Sequence, residues 1–212
     1  MRNRSAPLAE PSAKTIDWSK LGGLVPAIVQ DVDTGQVLML GYMDDAALEE
    51  TCRSGLVTFY SRSKNRLWQK GETSGNRLRV KDIRADCDRD ALLVTAEPAG
   101  PTCHLGTESC FGEPAVDGAT WLGKLARIVR RRAGEMRAGS YTAQLLQAGP
   151  VRIAQKVGEE AVEVVLASTT GDEQGCIEEI ADLFYHLTVL MESRGIGWND
   201  IAAVLKGRHA PS

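Results

Sequence analysis

The stretch "FGEPAVDGA", residues 111–119, separates two kinds of sequence pattern and so decides the fold. Before it, from Leu24 to about Pro98, apolar residues come in short runs with strand character, separated by turn signals such as "DTGQ" and "KGETSGN". After it, apolar residues follow helical spacing over long segments. We therefore predict an α+β chain of two domains, with a β-rich N-terminal domain and an all-α helical-bundle C-terminal domain.

The 212 residues are predicted to divide into four parts. These are a flexible N-terminal tail at 1–17, the β-rich domain at 18–112, a linker at 113–117 and the helical domain at 118–212. In the β-rich part, "DTG" predicts a hairpin turn between the first two strands. "DDAALEETCRSG", residues 44–55, predicts a short helix that begins after an aspartate cap and ends at Gly55.

Five helices are predicted in the second half, each followed by a glycine stop. Their bounds are 121–137, 142–147, 151–169, 173–193 and 199–206, with stops at Gly139, Gly149, Gly171, Gly195 and Gly207.

The bulk composition excludes several classes of protein. Lys and Arg total 25 against 28 Asp and Glu, so the net charge of −3 gives no basic field that would recruit nucleic acid. No apolar run approaches the roughly 18 residues of a membrane span, and the N-terminal stretch lacks the apolar core of a secretory signal. We expect a cytoplasmic protein whose five cysteines are thiols or metal ligands rather than disulfides.

Two pairs of carboxylates stand out in the helical half. "KVGEEAVEVV", residues 156–165, contains Glu160 and Glu163, and "EEIADLFYHL", residues 178–187, contains Glu179 and Asp182. A spacing of three puts each pair on one helical face, so antiparallel packing would bring four carboxylates together. Such a cluster suits Mg²⁺, which prefers oxygen ligands and bridges carboxylates to phosphates. The alternative is that these acids belong to solvated helix faces.

In the β-rich half, three aspartates alternate around one cysteine in "ADCDRDALL", residues 85–93. If the segment is extended, Asp86, Asp88 and Asp90 share one face and Cys87 points to the other. A solvated loop could carry this charge alone, whereas a buried segment would need a cation beside the aspartates. A tight turn through Asp88 and Arg89 would remove the alternation.

Two further cysteines lie in "GPTCHLGTESCFG", residues 100–112. Three thiolates, from Cys87, Cys103 and Cys110, would leave the open coordination position of a catalytic Zn²⁺, although cysteines are also commonly buried without a metal. His104 is a candidate general acid or base, a fourth ligand or a surface histidine. His186 is expected to pack near the acidic site.

The segment "SRSKNRLWQKGETSGN", residues 61–76, combines basic side chains with small residues whose amides suit phosphate binding. A solvated hairpin loop is the alternative, because the segment lacks the phosphate-binding pattern of nucleoside triphosphatases. The substrate-binding candidates are Arg62, Lys70, Thr73, Ser74, Gly75 and Asn76, together with Lys156 of the helical half.

The helical half resembles a known enzyme family. "EExxE", fifteen residues and "ExxD" are similar to the signature of the all-α nucleoside-triphosphate pyrophosphohydrolases. "SYTAQLLQAGPVRIAQKVGEEAVEVVLA" and "EIADLFYHLTVL" resemble the phosphoribosyl-ATP pyrophosphohydrolases of histidine biosynthesis. The resemblance implies cleavage between the α and β phosphates, assisted by Mg²⁺. It implies Mg²⁺ ligands at Glu160, Glu163, Glu179 and Asp182, with Glu159 a candidate fifth, a catalytic part for Glu160 and Glu163, and Lys156 at the phosphates.

The β-rich half resembles the phosphoribosyl-AMP cyclohydrolases through "LGYMDDAALEET", "VTFYSRSKNRLWQKGETSGN", "DCDRDALL" and "GPTCHLGTESCF". The resemblance implies Mg²⁺ on Asp86, Asp88 and Asp90. It also implies Zn²⁺ on Cys87, Cys103 and Cys110, in a site built between the subunits of a homodimer. If residues 85–93 are extended, we expect these two ions on opposite sides of that segment, with Mg²⁺ at the aspartates and Zn²⁺ at Cys87. Zinc would activate a water for attack on carbon 6 of the adenine ring, with His104 as the candidate proton carrier.

Together the two resemblances predict a bifunctional hydrolase of histidine biosynthesis that acts on phosphoribosylated adenine nucleotides. Two alternatives remain open at this point. One is a housekeeping pyrophosphohydrolase of modified nucleotides whose β-rich half only binds ligand. The other is a non-enzymatic binding module whose cysteines hold a structural zinc.

Overall fold

The computed structural model describes residues 16–20, 22–112 and 118–209, and the chain divides into two compact units, Met1–Thr120 and Trp121–Ser212. The predicted linker at 113–117 and residues 1–15 of the predicted tail lie outside the described residues. The last two residues assigned to the tail pack on the first unit. Ile16 is buried in its core, and the backbone N–H of Asp17 donates to the carbonyl of Arg89 at 2.8 Å.

The first unit is β-rich, as the sequence predicts. A four-stranded sheet has the order β2-β1-β6-β5, and β3 and β4 form a separate two-stranded sheet. β1 pairs antiparallel with β2 and parallel with β6. The elements are β1 (Val25–Asp31), β2 (Val37–Met43), α1 (Asp45–Ser54), β3 (Thr58–Ser61), β4 (Arg66–Gln69), β5 (Leu78–Ala85) and β6 (Leu92–Pro98).

Alternation of side chains explains the central strand. Val25, Ala27 and Val29 of β1 are fully buried, and the residues between them are partly exposed. This period of two is typical of a strand with one face on the core. The "DTG" stretch forms the predicted turn between β1 and β2, where Gly35 has a φ of +71°.

Helix α1 has the predicted caps. The Asp44 carboxylate accepts from the backbone N–H of Ala47 at 2.8 Å, and Gly55 ends the helix in the left-handed conformation. Nearby, a β-carbon at Gly41 would overlap the ring of the fully buried Phe59, so β2 requires glycine at this position. These contacts hold the α1–β3 segment close to the sheet.

The second unit is all-α, also as predicted. Its helices are α2 (Gly118–Glu135), α3 (Tyr141–Ala148), α4 (Pro150–Thr170), α5 (Glu173–Arg194) and α6 (Trp198–Arg208). The stops predicted at Gly149, Gly171 and Gly195 are helix caps. The stop predicted at Gly207 is wrong, because α6 continues to Arg208 and is capped at His209.

Helices α4 and α5 follow each other through the short turn at Gly171 and pack together along their length. The core of this unit consists of Val129, Leu145, Ile153 and Val189. In the described part of the chain, no helix is both long enough and apolar enough to cross a bilayer.

Candidate active sites

The predicted carboxylates of α4 and α5 converge. Glu160, Glu179 and Asp182 each place an oxygen within 4.8 Å of the other two, and we call this group the helical cluster. Glu163 is exposed and is not part of this group, although its charge acts on Glu179. Glu160 is only 4% exposed. The three-residue spacing on two packed helices brings three of the four predicted carboxylates together, and Glu163, one turn further along α4, lies outside the group.

The crowding of carboxylates in the helical cluster changes the pKa values of neighbouring groups. Burial, and then the neighbouring carboxylate of Glu163, raises the pKa of Glu179. The ammonium of Lys156 lies 2.7 Å from Glu160 Oε1 and 2.9 Å from Glu159 Oε2. Its hydrogen bond to Glu160, followed by that to Glu159, raises the pKa of Lys156. A cation therefore already lies against these carboxylates, and the oxygen donors suit a hard divalent ion.

The aspartates after β5 are not on an extended strand, so the predicted alternation is wrong. β5 ends at Ala85, and residues 86–90 turn back towards β6. Asp86 Oδ1 accepts from the backbone N–H groups of Asp90 at 3.0 Å and Ala91 at 3.1 Å, and Arg89 has a φ of +63°. A turn stabilised by an aspartate side chain has replaced the strand.

This turn nevertheless brings the three carboxylates together. Oxygens of Asp86, Asp88 and Asp90 lie within 4.8 Å of one another, and we call this group the aspartate turn. Cys87 is exposed and is not part of the group. The placing of two metal ions on opposite sides of this segment stays a prediction.

A second lysine occupies the aspartate turn. Lys20 Nζ lies 2.9 Å from Asp88 Oδ2 and 3.2 Å from Asp90 Oδ2, and it also donates to the Asp88 carbonyl. The hydrogen bond from Lys20 holds the pKa of Asp88 below its usual range. As in the helical cluster, an ammonium lies where a metal ion would fit.

Cys103 and Cys110 contact each other at a cleft of about 590 Å³ in the first unit. Cys103 Sγ accepts from the backbone N–H of Leu105 at 3.5 Å. That hydrogen bond, with a further one from Thr107, lowers the pKa of Cys103. Burial, and then the charge of Cys103, raises the pKa of Cys110. A pair of thiols that shares charge in this way suits a thiophilic metal.

Four predicted substrate residues line the same cleft: Lys70, Thr73, Ser74 and Asn76. His104 also lines it, with Nδ1 3.9 Å from Cys103 Sγ. Gly71, with a φ of +82°, closes the loop, and a β-carbon there would overlap the backbone of Asn76. The cleft therefore combines sulfur, imidazole, hydroxyl and ammonium groups.

Two of the six substrate residues predicted in the first unit do not line this cleft. The Arg62 guanidinium lies over the ring of Tyr42, 4.0 Å from its centroid, and Gly75 faces a different cleft beside Arg77 and Arg79. The cleft also contains a group that the sequence analysis missed. The hydroxyl of Thr102 is buried there and has no hydrogen-bond partner.

Comparison with known proteins agrees with this division into two sites. The sequence model of the phosphoribosyl-AMP cyclohydrolase family matches residues 39–112, and that of the phosphoribosyl-ATP pyrophosphohydrolase family matches residues 122–209. A relative from Vibrio cholerae, the histidine biosynthesis bifunctional protein HisIE, is 51% identical over 98% of this chain and 99% of its own length. The chain belongs to this bifunctional family.

Other members of the bifunctional family are similarly close. Proteins with the same name from Xanthomonas axonopodis pv. citri and Bacteroides thetaiotaomicron are 55% and 51% identical, each over 92% of this chain. The alignments cover 93% and 96% of the lengths of those two proteins. The match therefore includes both halves, and the chain is a bifunctional hydrolase of histidine biosynthesis.

Two further residues contact the carboxylate groups: Lys20, which the sequence analysis missed, and His186, which it expected near the acidic site. Lys20 reaches the aspartate turn across 68 residues of sequence, and no local pattern could have indicated that contact. His186, expected near the acidic site, contacts Glu160 and Tyr141. His186 lies four residues after Asp182, and this helical spacing places both residues on the same face of α5.

Proposed function

We propose that the chain catalyses its two hydrolytic steps at two separate metal sites, one in each unit. In this scheme residues 118–212 convert phosphoribosyl-ATP to phosphoribosyl-AMP and pyrophosphate. Residues 18–112 then open the adenine ring of phosphoribosyl-AMP. The observation that carries the proposal is the placing of the acidic pairs of α4 and α5 in one unit and of the Cys103–Cys110 cleft in the other.

For pyrophosphate release, we propose that the helical cluster holds Mg²⁺. The bound ion would neutralise phosphate charge and help to activate water. Lys156, once displaced from Glu160, is within reach to bind the phosphates of the substrate. Glu163 lies at the exposed edge of the cluster, where it can accept the proton of the attacking water. Glu159 helps to hold Lys156 and is a candidate fifth ligand.

For ring opening, we propose that Cys87, Cys103 and Cys110 bind Zn²⁺ and that the aspartate turn binds Mg²⁺. Zinc in such a site lowers the pKa of its bound water. His104 then carries the proton between water and the ring nitrogen. Lys70 is buried at the cleft, where its ammonium donates to the Asn76 carbonyl at a long 3.5 Å, and it would bind an anionic group of the substrate. Thr73, Ser74 and Asn76 supply hydrogen bonds beside it.

We also propose that the zinc site is shared between the subunits of a homodimer. Among the described residues, no group of three potential ligands within 4.8 Å contains a cysteine, so Cys87 does not complete the site with Cys103 and Cys110 of the same chain. Leu105 is 78% exposed and Phe111 is 67% exposed, and both flank those cysteines. Large exposed apolar side chains beside an incomplete site support a subunit contact there.

A complementation experiment tests this shared site. The Cys87→Ala and Cys103→Ala proteins are each expected to be inactive in ring opening when assayed alone. After joint unfolding and refolding, random pairing makes half of the dimers mixed, each with one intact site, so about a quarter of the wild-type activity returns. No recovery from well-folded mixed dimers would exclude sharing.

The two-site proposal is tested by paired substitutions in the full chain. Glu163→Gln is expected to stop pyrophosphate release while supplied phosphoribosyl-AMP is still opened. Cys103→Ala is expected to do the reverse. If either substitution abolished both reactions in a protein with a native circular dichroism spectrum, the two steps would not use separate sites.

We propose a cytoplasmic location, which the five free cysteines support.

A further inference from the structure

A buried histidine lies directly beside the helical cluster. His186 is on α5, and both it and Glu160 are 4% exposed. His186 Nδ1 lies 3.6 Å from Glu160 Oε1, the same oxygen that Lys156 contacts at 2.7 Å. The imidazole and the ammonium therefore both face one oxygen of a carboxylate in the proposed metal site.

The hydrogen bonds of His186 fix the orientation of its ring. Nδ1 lies 2.9 Å from the backbone carbonyl of Asp182, which can only accept, so Nδ1 carries a hydrogen and donates it to that carbonyl. Nε2 lies 3.1 Å from the hydroxyl of Tyr141, so the ring is hydrogen-bonded on both sides. These two contacts place the Nδ1 edge of the ring on the side of Glu160.

Tyr141 is itself held in place. It is the first residue of α3, which the Ser140 side chain caps. Its ring stacks on Tyr185 with centroids 6.2 Å apart, and the Tyr185 hydroxyl lies 2.8 Å from that of Thr142. Packing against Tyr185 therefore holds the ring of Tyr141 beside His186.

We propose that His186 is a positioning residue for Glu160, with Tyr141 holding its ring from the Nε2 side. The inference rests on the proposed Mg²⁺ site of the helical cluster. The Nδ1 edge of the ring packs 3.6 Å from Glu160 Oε1 and is itself held by the Asp182 carbonyl, so the buried ring limits how the Glu160 carboxylate can rotate. Groups behind a metal ligand orient it, and their loss commonly weakens metal affinity by about 10- to 100-fold.

Two amide substitutions separate orientation from simple packing. His186→Asn places an N–H donor where Nδ1 stands, so it keeps the contact on the side of Asp182 and Glu160. His186→Gln places its amide where Nε2 stands, so it keeps only the Tyr141 side. Tyr141→Phe removes the hydroxyl alone.

The test measures binding of Mn²⁺ alone by electron paramagnetic resonance. All proteins are full-length and carry Asp88→Asn and Asp90→Asn, so the signal reports the helical cluster. Asp86 is kept because it stabilises its turn. His186→Gln is expected to weaken Mn²⁺ binding about tenfold or more. The Mn²⁺ affinity of His186→Asn should remain near that of the wild type. Tyr141→Phe should weaken Mn²⁺ binding less than His186→Gln does.

A second readout separates positioning from folding. The Mg²⁺ concentration that gives half-maximal pyrophosphate release should rise in His186→Gln, while its rate at saturating Mg²⁺ and its metal-free melting temperature stay near wild type. Equal Mn²⁺ affinity in the Asn and Gln proteins would overturn the role of His186. If the wild-type protein released no pyrophosphate from phosphoribosyl-ATP, the proposed function itself would fail, whatever the Mn²⁺ affinities.

Discussion

The helical cluster and the aspartate turn hold the same three-carboxylate group in very different settings. The helical cluster takes its acids from two packed helices and contains the nearly fully buried Glu160. The aspartate turn takes all three from five consecutive residues, and the Asp88 side chain is 59% exposed. Each has a lysine ammonium against it, Lys156 in one and Lys20 in the other.

The comparison teaches that the two sites differ in burial and not in the number of their carboxylates. Charge interactions are several times stronger in a partly buried setting than in bulk water. The helical cluster is therefore expected to respond strongly to any change of charge. The aspartate turn, which water screens, should respond weakly.

The largest effect is expected at Glu160. Glu160→Gln removes the buried ligand, so pyrophosphate release should fall by more than the roughly 100-fold seen for loss of an orienting group. Ring opening of supplied phosphoribosyl-AMP should not change. The control is Glu178→Gln on α5, where the side chain pairs with Gln174 outside the cluster. Equal losses in both proteins would contradict a specific role for Glu160.

Lys156→Met is expected to have the next largest effect. It removes a cation that competes with metal, so binding of Mn²⁺ alone should strengthen roughly tenfold, the size of a hydrogen bond between charged groups. The KM for phosphoribosyl-ATP should rise at the same time, because the phosphates lose their ammonium partner. Isothermal titration and steady-state kinetics measure the two changes. Unchanged metal affinity would mean that Lys156 does not compete at Glu160.

The pKa shifts of the two groups run in opposite directions, which predicts different pH dependences. Burial raises the pKa of Glu179, so protons compete with metal at the helical cluster from a higher pH as the solution is acidified. Lys20 lowers the pKa of Asp88, so the aspartate turn keeps its charge to a lower pH. Mn²⁺ titrations at falling pH should show the helical cluster losing affinity first. The reverse order would contradict the assignment of the two environments.

The smallest effect is expected from Lys20→Met. Exposed ion pairs contribute little, so Mn²⁺ affinity at the aspartate turn should rise only about two- to fivefold. The gain should shrink further in high salt, which a titration at two ionic strengths measures. A gain as large as that of Lys156→Met would show that burial does not separate the two sites.

The sequence was most informative where geometry is local. Three-residue spacing on helices predicted the meeting of Glu160, Glu179 and Asp182, because a helix fixes which residues share a face. The alternation of buried residues in β1 and the caps of α1 were also predictable, because both depend only on residues that are close in sequence. The strand-like alternation of Asp86, Asp88 and Asp90 misled, because Asp86 bonds to its own turn and Arg89 adopts a positive φ.

Contacts between distant parts of the chain were not predictable. Lys20 at the aspartate turn, Tyr141 at His186 and the unpaired hydroxyl of Thr102 depend on tertiary packing that no local pattern records. Gly207 failed as a helix stop because glycine lowers helix stability without ending a helix that is otherwise capped.

The central claim is that two chemically different metal sites perform the two steps. The most direct measurement supplies the full chain with phosphoribosyl-ATP and Mg²⁺ after zinc has been removed, and follows pyrophosphate and the ring-opened product together. The account predicts that pyrophosphate and phosphoribosyl-AMP accumulate in equal amounts, and that ring opening begins only when zinc is added. Ring-opened product at the full rate without zinc would contradict it.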